Sequence, residues 1–242
     1  MKLKAILILQ IMIVTVCPVK GQTVTVEFGP TYYAHKAKSK MHPDIIGQRI
    51  ANDDYFYKIN YEHFINTNFR LSGSYSKYPI TTFFRFYKEN EGGSFGWNGT
   101  TVKRFDVSML YNIFPKSKFL LIPYTGFGIQ KSTPNGYGCI CNDISDGIKP
   151  DNFELIKDIE EHVYSNTQIV PVIGLKFGYA FWGRLELFMD IQQVFGHKLI
   201  QELRMDYTYK GIQQPQAINY SDGTGRFWAL GLGYRIVKPM GK

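Results

Sequence analysis

The segment GRFWALGLGYRI (225–236) alternates between two kinds of residue. Trp228, Leu230, Leu232, Tyr234 and Ile236 stand on one side, and Phe227, Ala229, Gly231, Gly233 and Arg235 on the other. A period of two is the mark of a β-strand. A sandwich core is not ordinarily built from Ala, Gly and Gly, so the question is which face is the inside.

The same period runs through the chain. Residues 55–64 set Tyr55, Tyr57, Ile59, Tyr61 and His63 against Phe56, Lys58, Asn60, Glu62 and Phe64. Residues 103–113 set Phe105, Val107, Met109, Tyr111 and Ile113 against Arg104, Asp106, Ser108, Leu110 and Asn112. Each such stretch is near the 9–11 residues with which a tilted strand crosses a bilayer. Connections alternate as well. Those at 66–68, 115–117 and 182–183 are tight, while polar stretches at 37–54, 88–101, 131–166 and 205–224 are long. This predicts eight strands, at about 23–36, 55–65, 68–87, 102–114, 118–130, 167–181, 184–204 and 225–237. An even-stranded meander with short turns at one end and long loops at the other is the pattern of a transmembrane β-barrel. The expected fold is therefore an all-β, eight-stranded antiparallel up-and-down transmembrane β-barrel with long extracellular loops. Aromatic residues, 16% of the chain, favour strands in the same way.

Such a barrel inverts the usual sidedness. The bulky face of 225–236 meets lipid, with Trp and Tyr at the bilayer edges. The small face points into a lumen wide enough only for side chains. Carried through the strands, the register turns Glu27, Lys58, Glu62, Arg70, Arg104, Asp106, Lys176, Glu186, Asp190 and Arg235 inward. Five acids then oppose five bases, and burial requires that they pair. A plugged interior is expected, since a water-filled pore needs about 16 strands. A soluble lipocalin-like calyx is the alternative. Long loops at one end, bilayer-length strands and glycines on the charged face weigh against it.

The N-terminus reads as a secretory signal. Lys2 and Lys4 precede an apolar run from Ala5 to Val16, too short for the roughly 20 residues that span a bilayer. Cleavage is placed after Gly21, giving a signal peptide at 1–21 and one barrel domain at 22–242. Cys17 lacks the small preceding residue expected of a lipidated cysteine. Loss of Lys2, Lys4 and Lys20 lowers the basic count from 28 to 25 against 20 acids, a net charge of +5 in place of +8. No long basic run remains, so nucleic acid is not an expected partner.

TVTVEFGPTYY (23–33), FLLIPYTGFGIQ (119–130), FGYAFWGRLELFMDI (177–191) and FWALGLGYRI (227–236) together resemble the small eight-stranded outer-membrane barrels. These are the outer membrane protein A-like and porin-type superfamily, in the form common in Bacteroidetes-type Gram-negative bacteria. The resemblance is architectural and covers almost all of the mature chain. It implies a multi-pass barrel of the cell outer membrane, with both termini periplasmic, and it carries no catalytic motif. No peptidoglycan-binding domain follows Ile236, so cell-wall anchoring is not implied.

Chemistry-bearing residues are sparse. Gly92-Gly93-Ser94-Phe95-Gly96 matches a nucleophile pattern that has meaning only between a strand and a helix, and it is placed here in a hairpin loop. Glu161, His162 and Ser165 form the best available acid, base and nucleophile trio, in a loop. Cys139 and Cys141, alone once Cys17 is removed, are read as a local disulfide in an oxidising compartment. Residues 151–163, with Asp151 as N-cap and Phe153, Leu155, Ile156, Ile159 and Val163 at helical spacing, predict a short helix in the third loop. No catalytic, metal-binding or cofactor-binding residue is assigned. The expected protein is non-enzymatic and works through its loops or wall, as a subunit of an outer-membrane complex, an adhesin or a structural membrane protein. Its expected partners are outer-membrane lipid or lipopolysaccharide and other outer-membrane proteins. A lipid-modifying enzyme and a narrow channel are the competing readings.

Overall fold

The computed structural model describes residues 21–40, 42, 54–88, 91–134, 152–157 and 159–236. Eight long strands form the wall: β1 (Gln22–Ser39), β2 (Asp54–Phe64), β3 (Phe69–Lys88), β4 (Glu91–Tyr111), β5 (Phe119–Pro134), β8 (Thr167–Phe181), β9 (Leu185–Val194) and β13 (Ala217–Arg235). Each pairs antiparallel with its neighbour, and β1 closes on β13 with Phe28 opposite Leu230. The sheet is a closed eight-stranded barrel. Five shorter strands stand at the long-loop end: β6 (Phe153–Leu155), β7 (Glu160–Val163), β10 (Gln201–Met205), β11 (Tyr207–Tyr209) and β12 (Ile212–Gln213).

Local chemistry sets the tight turns. Asn66 folds its side chain back so that Oδ1 accepts from the backbone N–H of Asn68 and Phe69, both at 2.8 Å. Ser117 Oγ accepts from Phe119 N at 3.0 Å. Trp182 and Gly183 are successive residues at φ 47° and 72°, as a two-residue hairpin turn that follows strand twist requires.

Sidedness is inverted relative to a soluble protein. Leu230 and Leu232 are 70% and 57% exposed, whereas Phe227 is fully buried and Ala229 nearly so. On β5 the outward residues run from Phe119 through Phe127 to Ile129, and on β8 they run down from Ile169 to Phe181. Ten residues of strand at about 3.4 Å each, tilted by about 40°, rise roughly 25 Å, the height of a lipid-facing apolar band.

Four expectations need correction. The last strand begins at Ala217 and not at 225, so that 217–224 are strand and not loop. Residues 88–101 are not a loop, because β3 and β4 continue as one hairpin to the pair Lys88 and Glu91. The strand expected at 184–204 breaks after Val194, where β13 changes partner from β9 to β10. The described part of 151–163 is not a helix. Phe153–Leu155 instead pairs with Tyr207–Tyr209, which buries Phe153 against the Tyr207 ring at 5.4 Å and leaves Ile156 exposed. An isolated helical stripe would have had no surface to cover it, while the strand pairing satisfies the backbone and buries an aromatic side chain together.

Candidate functional site

Alternation turns every second side chain of β1, β2, β3, β8, β9 and β13 inward, and at the short-turn half of the barrel these side chains form a continuous ionic network. Glu27 forms an ion pair with Lys58 at 2.8 Å and accepts a hydrogen bond from Lys176 at 2.9 Å. Lys176 also donates to Glu62 at 3.0 Å, and Glu62 accepts from Arg70 at 2.8 Å. Arg70 reaches Glu186 at 3.4 Å, and Glu186 accepts Arg235 Nε at 2.6 Å. Lys58 closes the other side by donating to Asp190 at 2.8 Å, where the Tyr124 hydroxyl also donates at 2.8 Å. Four acids meet four bases. Arg104 and Asp106 form a separate pair on β4 at 2.7 Å, with Ser74 Oγ donating to Asp106 at 3.2 Å. Nine of these ten charged residues are buried, and Arg235 sits at the rim with its side chain 13% exposed.

Desolvating ten charges is costly, and only dense mutual pairing offsets it. Arrangement does the rest. The Lys176 ammonium lies 4.7 Å over the Phe188 ring, and the Arg104 guanidinium 5.0 Å over the Phe227 ring. A void of about 10 Å³ between Lys58, Asp106, Tyr124 and Lys176 has room for about one water. Toward the long-loop end an apolar layer follows, where Phe227 packs on Phe56 and Tyr78 with ring centroids 5.2 and 5.0 Å away. Ile80, Val102, Val170 and Val194 complete it.

A polar collar and a small cap lie beyond this layer. Thr82 Oγ1 donates to Gln201 Oε1 at 2.6 Å, and Gln201 Nε2 donates to Glu161 at 2.6 Å. Gln168 donates to the Asp222 carbonyl at 2.9 Å and accepts from the backbone N–H of His197 and Lys198. Lys36 pairs with Asp222. β7 and β10 extend the wall upward, and the sheet β12-β11-β6 packs over Phe84, Leu203, Met205 and Ala217. Lys157 bridges Glu160 at 2.7 Å and Asp206 at 2.9 Å, which holds Asp206 below the usual carboxylate range. Burial pushes Glu161 up, with the Gln201 amide partly offsetting it.

The trio read from the sequence is not assembled. Ser165 Oγ donates to the Ser132 carbonyl at 3.3 Å, Glu161 is taken by Gln201, and His162 faces Glu160 at 3.7 Å. Ser94 lies within β4, opposite Arg85, and not at a strand-to-helix turn. Cys139 and Cys141 lie outside the described residues. An inventory of charges alone overlooks Tyr124, Asn60, which donates to Glu62 at 3.0 Å, Gln130, which accepts from the Tyr78 hydroxyl at 3.1 Å, and the collar residues Gln168 and Gln201. Alternation marks Tyr124 and Gln130 as inward on β5, but nothing local names their partners.

No family model matches the chain, and no curated protein does. Among solved structures the chain is similar to the outer membrane protein OprG from Pseudomonas aeruginosa, at 13% identity, 89% of this chain, 96% of that one and TM-score 0.46. It is also similar to Neisserial surface protein A, at 10% identity, 88% and 96% coverage and TM-score 0.48. A third is the outer membrane enzyme PagL, at 11% identity, 88% and 98% coverage and TM-score 0.34.

Proposed function

We propose that this chain is a non-enzymatic integral outer-membrane β-barrel that acts through its cap and outer wall, with the short turns and both chain ends on the periplasmic side. The observation that carries this reading is the inversion of sides. Glu27, Lys58, Glu62 and Arg104 are at most 4% exposed, while Phe105, Phe127, Ile169 and Leu230 are all more than 60% exposed. Water would reward the opposite arrangement, and hydrocarbon rewards this one. The packed ionic interior supports a wall that does not conduct, and the folded cap supports a role in contact with other molecules. In outer membranes, the protein is expected to resist carbonate extraction and to migrate faster on gels when unheated. In planar bilayers it is expected to give no large steady current. Quantitative release by carbonate overturns the membrane reading, and sustained conductance overturns the closed interior.

A further inference from the structure

A line of three lysines crosses the outer wall. Lys77 on β3 stands opposite Lys103 on β4, and Lys103 stands opposite Lys131 on β5. All three point outward, since their strand neighbours Ser76, Tyr78, Val102, Arg104, Gln130 and Ser132 are buried. Residues directly opposite bring their Cβ atoms to about 4.5–5.5 Å, and like charges so placed repel. No hydrogen bond or ion pair joins any of the three to another described residue. Lys131 faces Thr167, whose carbonyl accepts Lys198 Nζ at 2.9 Å, so a fourth ammonium stands at the end of the line.

Position supplies the second half of the argument. One step toward the short turns, each lysine is followed by an apolar residue, namely Tyr75, Phe105 and Ile129, which face one another in the same register. Below them on β4 and β5 come Val107 and Phe127, 61% and 65% exposed. Tyr57, opposite Lys77, is the kind of residue found where a bilayer meets water. The lysines therefore stand at the upper edge of the apolar band, on columns along which acyl chains would lie.

We propose that Lys77, Lys103 and Lys131 bind the phosphate groups of a lipid headgroup in the leaflet at the long-loop end, an inference that rests on the membrane reading above. A phosphate offers three acceptor oxygens to neighbouring ammonium groups and turns their mutual repulsion into shared attraction. The columns below accept the same molecule's chains, which a soluble anion or an acidic peptide lacks. On the outer face of an outer membrane, the lipid of this chemistry is a phosphorylated lipid A.

The test uses the full mature chain refolded in detergent and titrated, by native mass spectrometry, with diphosphorylated lipid A, with the same lipid stripped of phosphate, and with inorganic phosphate as competitor. The wild type is expected to prefer the phosphorylated lipid by roughly tenfold or more. The triple variant Lys77→Gln/Lys103→Gln/Lys131→Gln is expected to lose that preference, Lys103→Gln alone to lose several-fold, and Lys116→Gln, in the turn at the other end, to lose none. Heat-modifiable migration is read on every refolded variant, and carbonate resistance on the same variants in outer membranes. A folded, carbonate-resistant wild type without preference, a triple variant that keeps it, or full competition by millimolar phosphate overturns the lysine site and leaves the membrane reading standing. A wild type released by carbonate overturns both.

Discussion

Gly231 on β13 faces Phe188 on β9 so closely that a methyl group on the glycine would lie 2.3 Å from ring carbons Cε2 and Cζ. The ring is buried, and its other neighbour across the sheet is Gly178. Phe188 therefore occupies space that two adjacent strands leave empty, beneath the Lys176 ammonium. Gly231→Ala is expected to cost about 1–3 kcal/mol through overpacking. Gly73→Ala, at an outward position with nothing within 4 Å, is expected to change little. Urea midpoints in one vesicle composition check both, and equal effects would contradict the packing described.

Glu186 and Leu187 are consecutive residues with opposite surroundings, 2% and 51% exposed. Glu186→Ala leaves Arg235 and Arg70 short of a partner, and breaking a buried pair costs about 3–5 kcal/mol. Leu187→Ala is expected to cost far less, because lipid fills the gap. Leu187→Arg is expected to cost roughly 2–4 kcal/mol if the residue sits near the midplane. The same unfolding assay decides, and a neutral Glu186→Ala beside a severe Leu187→Ala would assign the faces the other way.

The cap holds two carboxylates that respond to acid in opposite senses. Hydrogen bonding from Lys157 lowers Asp206, so its charged form stabilises the cap above the ordinary carboxylate value near 4, and that contribution disappears as pH falls through the lowered value. Burial raises Glu161, so its charged form opposes folding once pH climbs past about 4.3 and through the raised value. Hydrogen exchange of the β7 and β10 amides at pH 7 is expected to be slower in Glu161→Gln than in the wild type, with the difference closing near pH 4. Exchange in β11 is expected to be faster in Asp206→Asn at pH 7, with the difference closing as pH falls through the lowered Asp206 value. Reversed signs would remove these two carboxylates as the cause.

Trp182, 86% exposed at the turn between β8 and β9, is placed to sit at the membrane edge on the short-turn side. In a Trp97→Phe/Trp228→Phe background, its fluorescence is expected to be quenched more by bromines near the headgroup than by bromines deep in the acyl chains. Stronger deep quenching would move the apolar band relative to the turns.

What the sequence made legible is what period two encodes. Alternation gives the parity of each residue, so the faces of 225–236 and the inward turn of Glu27 or Asp190 could be read locally. Partners could not, because Lys58 meets Asp190 across 132 positions of chain. The cap shows the same limit more sharply. Phe153, Ile156 and Ile159 have helical spacing, and what makes Phe153–Leu155 a strand is the segment Tyr207–Tyr209, about fifty residues away. The line of Lys77, Lys103 and Lys131 appears only when the β3-β4-β5 register is known. Polar, glycine-rich sequence at 88–101 reads as loop because its pairing rests on backbone groups.

The seam between β1 and β13 joins Val24 to Tyr234, so the first strand made must wait for the last. Until then both carry an unpaired edge and half of an apolar wall, the combination most prone to aggregate. Contacts so distant in sequence are also the slowest to form. No stretch that lacks either β1 or β13 makes a complete wall, so closure waits until both are present. On the membrane reading, the β1 and β13 edges are expected to stay open until both strands have reached the bilayer in which they can pair.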